Sequence, residues 1–151
     1  MRLVKIMIGM LSIFLLTGCF GESYDFSPPT VSLSTSNAII SKEKLAEANI
    51  KWYQDNVFNK KIDNLFALAR KQEPILVKKG SQLELNTEDG YDDFKSIEVS
   101  IWKDEQQEII LEVEEDKTFY LPNIEGDYMI VVELDTSKGM AQYVGNLMIT
   151  K

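Results

Sequence analysis

Cys19 is the single thiol in 151 residues, and the chain has no histidine. A lone sulfur nucleophile with no imidazole to activate it makes no catalytic pair, and without a second cysteine it makes no intrachain disulfide or zinc site. It can still accept a covalent group. Carboxylates are the commonest reactive side chains, twenty-four Asp and Glu against sixteen Lys and Arg. They gather in Glu88, Asp89, Asp92 and Asp93, around Gly90 and Tyr91, and again in Glu112, Glu114, Glu115 and Asp116. The first stretch has oxygen ligands of the kind calcium takes, but it departs from the D-x-[DN]-x-[DN]-G loop with a distal Glu, and a solvated acidic loop is the plainer reading. No metal or other cofactor is expected. Two carboxylates perform glycoside hydrolysis only at a defined separation with one raised pKa, which sequence does not specify. No G-x-S-x-G, S-x-x-K or P-loop pattern occurs, so the chain reads as non-enzymatic. Trp52, Trp102 and Tyr91 are the candidate ligand contacts, because such rings stack on sugars and peptides. A formal net charge of -8 argues against a nucleic-acid partner.

The residues ahead of Cys19 say what that thiol accepts. Arg2 and Lys5 open the chain, an apolar run follows from Ile6 to Leu16, and Thr17 and Gly18 are small. This is the three-part layout of a secretory signal. The run of ~11 residues makes a helix of only ~16 Å, about half the ~30 Å hydrocarbon core, so it does not span comfortably by itself. Leu16, Thr17, Gly18 and Cys19 stand as L-T-G-C, which resembles the lipobox of bacterial lipoproteins at the expected place. The resemblance implies that Leu16, Thr17 and Gly18 are recognised by the lipoprotein signal peptidase, which cleaves after Gly18, and that Cys19 carries a diacylglyceryl thioether. It also implies a cell-membrane location on the extracytoplasmic face. Two or three acyl chains anchor stably where one holds only reversibly. Loss of residues 1–18 removes two basic groups and moves the net charge to about -10. Such a surface offers no polybasic patch, so the lipid itself is expected to hold the chain to the membrane.

Residues 19–29, ending in Pro28 and Pro29, read as a short tether, and residues 30–151 as one folded domain. Its pattern is mostly of period two, with short runs between Gly, Asn and Asp. Ile97, Val99 and Ile101 alternate with Ser96, Glu98 and Ser100. Ile109, Leu111 and Val113 continue opposite Glu108, Glu112 and Glu114 as the second arm of a hairpin. Trp102 shares the polar parity of Ser100 and Glu98, which sets it on the outer face or at a sheet end. Thr30 to Ser34, Ala38 to Ile40, Pro74 to Val77, Gln82 to Asn86 and Thr118 to Leu121 are further strands, the middle pair turning at Lys79 and Gly80. Tyr128 to Leu134 is apolar on both parities and expected to be central. Ala141 to Thr150 should pair with it, with Gly145 as a candidate bulge. Helical spacing occurs in Lys42 to Tyr53, where Ser41 is a candidate cap, and in Lys61 to Lys71, where Ile62, Leu65, Phe66 and Ala69 share a face. The far end of the first segment reads equally as a strand with Ile50 and Trp52 inward.

Eight or nine strands with one or two short helices make a mainly β domain, expected to be an immunoglobulin-like β-sandwich. In outline the chain resembles small Ig-like lipoproteins of Gram-positive bacteria, with Pro28-Pro29, Trp52, Val77 to Leu85, Ile97 to Trp102 and Gly126 to Tyr128 in that order. The resemblance implies fold and location, and no activity comes with it. The expectation is therefore a membrane-anchored, non-enzymatic binding or envelope-assembly module whose partner is an envelope protein or wall polymer. The alternative is capture or modification of wall polymer or a small ligand. A concave site lined by carboxylates or aromatics favours the alternative, and a flat surface the first.

Overall fold

In the nine residues Phe94–Trp102 (β7), Val99 and Ile101 are buried while Ser96 and Glu98 are exposed, so one face of this strand meets an apolar interior and the other meets solvent. The same alternation recurs along the chain in the computed structural model, which describes residues 27–35, 42–52, 58–88 and 91–151. The signal, Cys19, tether residues 19–26, the apolar piece Ala38 to Ile40 and the Ser41 cap lie outside the described residues.

The elements in chain order are β1 (Val31–Thr35), β2 (Glu43–Lys44), β3 (Ala46–Trp52), β4 (Phe58–Lys60), α1 (Leu65–Arg70), β5 (Ile75–Lys78), β6 (Gln82–Thr87), β7, β8 (Glu108–Leu111), β9 (Thr118–Tyr120), β10 (Gly126–Thr136) and β11 (Gly139–Thr150). They form two sheets, a small one in the order β2-β1-β6-β9 and a large one in the order β4-β3-β11-β10-β7-β8. The pairs along both orders are antiparallel, and β5 adds parallel to the last residues of β11. Leu33, Leu83, Leu85 and Phe119 of the small sheet share one core with Trp52, Ile101, Ile130, Leu134 and Tyr143 of the large one. At ~1.5–3 kcal/mol for each large apolar side chain withdrawn from water, this core is the main stabilising term of a chain with no disulfide.

β10 is central, as its composition predicts. Ile130, Val132 and Leu134 enter the main core, while Met129 and Val131 lie on the opposite face in a second cluster with Ala48, Ala69 and Val144. The cover on that face is α1. Asn64 caps it by accepting from the Ala67 amide at 2.8 Å, and Leu65, Phe66, Leu68 and Ala69 pack on the sheet. Helical spacing over Lys61 to Lys71 thus yields a six-residue helix.

Two expectations are corrected. Lys42 to Tyr53 does not form a helix over its described residues: β2 pairs with β1 in the small sheet, and β3 pairs with β11 in the large one. The chain changes sheets at buried Leu45. Gly145 is not a bulge. It pairs in register with Ile130, and a β-carbon there would stand 2.6 Å from Leu45 Cδ2, so glycine makes room for the close approach of a core side chain. The bulge is on β3, where Ala48 and Asn49 together face Gln142 between the pairs Tyr143↔Glu47 and Ala141↔Ile50. The two strands expected about the Lys79 and Gly80 turn are present as β5 and β6, with β5 in the large sheet and β6 in the small one.

Candidate functional site

The bulge on β3 is the first step in building the site. An extra residue turns both Ala48 and Asn49 toward the outer face of the large sheet, where Ala48 lies under α1 and Asn49 stands beside Gln142. Asn49 Oδ1 accepts from the Ile62 backbone amide at 2.8 Å, and its Nδ2 donates to Gln142 Oε1 at 2.7 Å. Gln142 Nε2 in turn donates to Glu133 Oε1 at 2.6 Å. This chain of bonds crosses β3, β11 and β10 and ends on a carboxylate. Glu133 is in register with Gln142 on one side and with Glu98 of β7 on the other.

Next to this row the outer face sinks into a cavity of about 350 Å³ between α1, β10, β7 and β8. Trp102, Phe66, Leu65, Met129, Val131 and Ile110 provide its apolar lining. Trp102 is held by an indole N–H donated to Ser100 Oγ at 2.9 Å. The carboxylates around it are Asp63, Glu98, Glu105, Glu108 and Glu133, with no Lys or Arg among the lining residues. None of the five is in an ion pair among the described residues. A second concavity of about 790 Å³ continues from it along Glu98, Glu133 and Gln142 toward Lys51, Lys60 and Lys61. The outer face therefore carries a groove with an acidic, aromatic end and a lysine-bearing end.

The rim is positioned by turns that the sequence encodes locally. Asp104 Oδ1 accepts from the amides of Gln106 and Gln107 at 2.9 and 3.0 Å, which closes the β7–β8 connection and sets Glu105 and Glu108 beside Trp102. Among the described residues β8 has a strand on one side only, which leaves its other edge unpaired by them. Ile110 on this strand is 74% exposed.

Of the three aromatic residues singled out from sequence, Trp102 alone lines the cavity. Trp52 is 1% exposed and belongs to the main core, so it has no surface with which to touch a ligand. Tyr91 lies at the other end of β7 from Trp102, half-buried, with its ring 6.2 Å from that of Trp52 and 5.4 Å from that of Phe94. Its hydroxyl is buried with no hydrogen-bond partner among the described residues. In the acidic loop, Glu88 pairs with Lys44 at 3.0 Å, Asp92 with Lys117, and Asp93 accepts from the Ser137 hydroxyl. The hydrogen bonds from Lys44 and Thr30 hold the Glu88 carboxyl below the usual range. These acids are spread over separate partners, and among the described residues no three Asp, Glu, His or Cys side chains converge as metal ligands.

Phe66, Glu98, Glu105, Glu108 and Glu133 are site residues that sequence reasoning did not single out. Parity along β7 already gave the outward direction of Glu98, but its register opposite Glu133 depends on a pairing between distant segments.

Comparison with protein-family models, curated proteins and solved structures finds no match for this chain.

Proposed function

We propose that this chain is a membrane-anchored extracytoplasmic lipoprotein whose immunoglobulin-like sandwich is a non-enzymatic binding module, with the groove on the outer face of the large sheet as its working surface. The observation that carries the binding role is the cavity lined by Trp102 and Phe66 together with five carboxylates that, among the described residues, form no ion pair. Burying apolar surface while leaving several like charges uncompensated favours a soluble monomer less than it favours a complex with a complementary partner. The L-T-G-C sequence at Leu16 to Cys19, after a basic start and a short apolar run, supports the address.

The immunoglobulin-like assignment is supported by strand order. β6 and β9 adjoin in one sheet as B and E do in such sandwiches, and β8, β7, β10 and β11 follow one another in the other sheet in the order of C′, C, F and G. The segment β2 to β4 with α1 stands outside that scheme and supplies one wall of the groove.

A second reading, capture of a small ligand or of wall polymer, is favoured by the concavity itself. A cavity of about 350 Å³ falls within the ~300–1,000 Å³ range of small-molecule sites. Crosslinking in native membranes separates the two readings: protein adducts through the groove support the module, and a small molecule retained through purification supports capture. The address is tested by labelling cells with radioactive palmitate. Wild-type protein should take up label and stay with membranes, whereas Cys19→Ala should do neither; labelled Cys19→Ala protein would reject Cys19 as the acceptor.

A further inference from the structure

The edge of β8 left unpaired among the described residues adjoins the acidic cavity, and the two together specify an occupant. Ser100↔Ile110 and Trp102↔Glu108 are in-register pairs, so Glu108 and Ile110 lie on the same outer face as Trp102 and Ser100. Exposed Glu112 stands just past the end of the strand, before Val113 bridges to Phe119 of the small sheet. The outer face of this edge therefore reads acid then apolar at alternate positions, with a further acid, Glu112, where the chain leaves the strand. Ile110, 74% exposed, leads from the edge into the cavity.

A strand laid beside β8 would place alternate side chains of its own opposite Glu108 and Ile110, and its next alternate side chain near Glu112. Cross-strand neighbours of opposite charge stabilise and like charges repel. A second copy of this chain is disfavoured, because antiparallel pairing of two β8 edges about Ile110 would set Glu108 against Glu112 in both directions. A partner with a cation, an apolar residue and a cation at alternate positions meets each neighbour favourably. Its lysine or arginine stems would also cover the apolar lining with their methylenes, while their charges reach the carboxylates at the rim.

We propose that β8 and its cavity form a docking groove for an extended basic segment of a partner protein, bound by strand addition in the pattern cation-x-apolar-x-cation. This rests on the reading of the outer face as the binding surface and names what it binds. The backbone edge supplies register and the alternating side chains supply selectivity.

The test uses the full chain in non-ionic detergent and a fluorescent peptide of about nine residues with lysines flanking a central valine in that pattern. Anisotropy should report saturable binding that weakens with added salt. Glu108→Gln with Glu112→Gln should weaken it about tenfold, the effect of removing two exposed ion pairs. Ile110→Lys should weaken it further, while Glu84→Gln on β6 of the small sheet should leave it unchanged. All these side chains are solvent-facing, and circular dichroism of each variant checks that the fold persists. Methylating the peptide's backbone nitrogens on the edge facing β8 should abolish binding. Equal binding by a charge-reversed peptide, by the methylated peptide or by the Glu108 and Glu112 double variant would overturn the proposal. Displacement by spermidine at the same concentration as the peptide would overturn it too, in favour of a small polycation. Binding is read on purified protein and lipid attachment on labelled cells, so loss of either result leaves the other to be judged separately.

Discussion

Glu98 and Glu133 face each other directly across the β7–β10 ladder, on the outer surface of the large sheet, with Gln142 donating to the second of them. Like charges in register on adjacent strands destabilise a sheet by roughly 0.2–1 kcal/mol. Glu98→Gln should therefore raise the unfolding free energy at low ionic strength by an amount of that order, read as a higher urea midpoint at unchanged slope. The gain should shrink at high salt, where exposed charges are screened. A midpoint that falls, or a gain indifferent to salt, would mean that the pair is not repulsive.

The two Trp residues should separate cleanly in stability measurements. Trp52 is sealed in the main core, and Trp52→Ala should cost about 3–5 kcal/mol, the range for emptying a large aromatic site. Trp102 lies half-buried along the cavity, and Trp102→Ala should cost about 1–2 kcal/mol, since part of its surface is already in water. Comparable losses for the two would contradict the assignment of Trp102 to a surface groove.

Gly139 and Gly145 are both glycine for want of space, but their neighbours differ. At Gly139, with φ at +146°, a β-carbon would stand 2.1 Å from the Lys51 carbonyl oxygen, which is β3 backbone and cannot swing away. At Gly145 the nearest atom is the Leu45 methyl at 2.6 Å, the end of a side chain. Gly139→Ala should cost more than about 2 kcal/mol, and Gly145→Ala about 1–3 kcal/mol. Leu45→Ala should partly relieve the second, giving a double variant less damaged than the two single costs predict. Full additivity in chemical denaturation would refute that contact.

Tyr143 ties the entry of the folded domain to its core. Its hydroxyl donates to the Pro29 carbonyl at 2.5 Å, and burial, aided by the Glu47 carboxylate, pushes the phenol well above its usual range. A raised folded-state pKa means that the stability linked to this proton is intact below the unfolded value of ~10 and is lost as pH climbs beyond it. Tyr143→Phe should cost about 1–2 kcal/mol at neutral pH, by leaving a carbonyl unpaired. It should also soften the alkaline decline in melting temperature. An unchanged alkaline limb would show that Tyr143 does not titrate with unfolding.

The strands whose alternation runs unbroken were legible from sequence: Ile97, Val99 and Ile101 on β7, and the two-sided run of β10. The segment 42–52 was not, for a physical reason. Leu45 faces one way at the crossing between sheets, and the bulge at Ala48 and Asn49 shifts the parity again before Ile50 and Trp52 turn inward. Two resets within eight residues imitate a helical period. The parity of Trp102 correctly gave the outer face of its sheet. Trp52 could not be told from a ligand contact, since a core tryptophan and a binding tryptophan read alike until the facing sheet is known. The carboxylates around the cavity come from four separated segments, and only register brings Glu98 beside Glu133.

The most direct test of the whole account is the intact mass of the protein extracted with detergent from the membranes of its native cells. A polypeptide beginning at Cys19 and heavier by a diacylglyceryl group, with or without a further acyl chain, is the predicted species. A mature chain beginning at any other residue, or an unmodified Cys19 in protein released without detergent, would contradict the account.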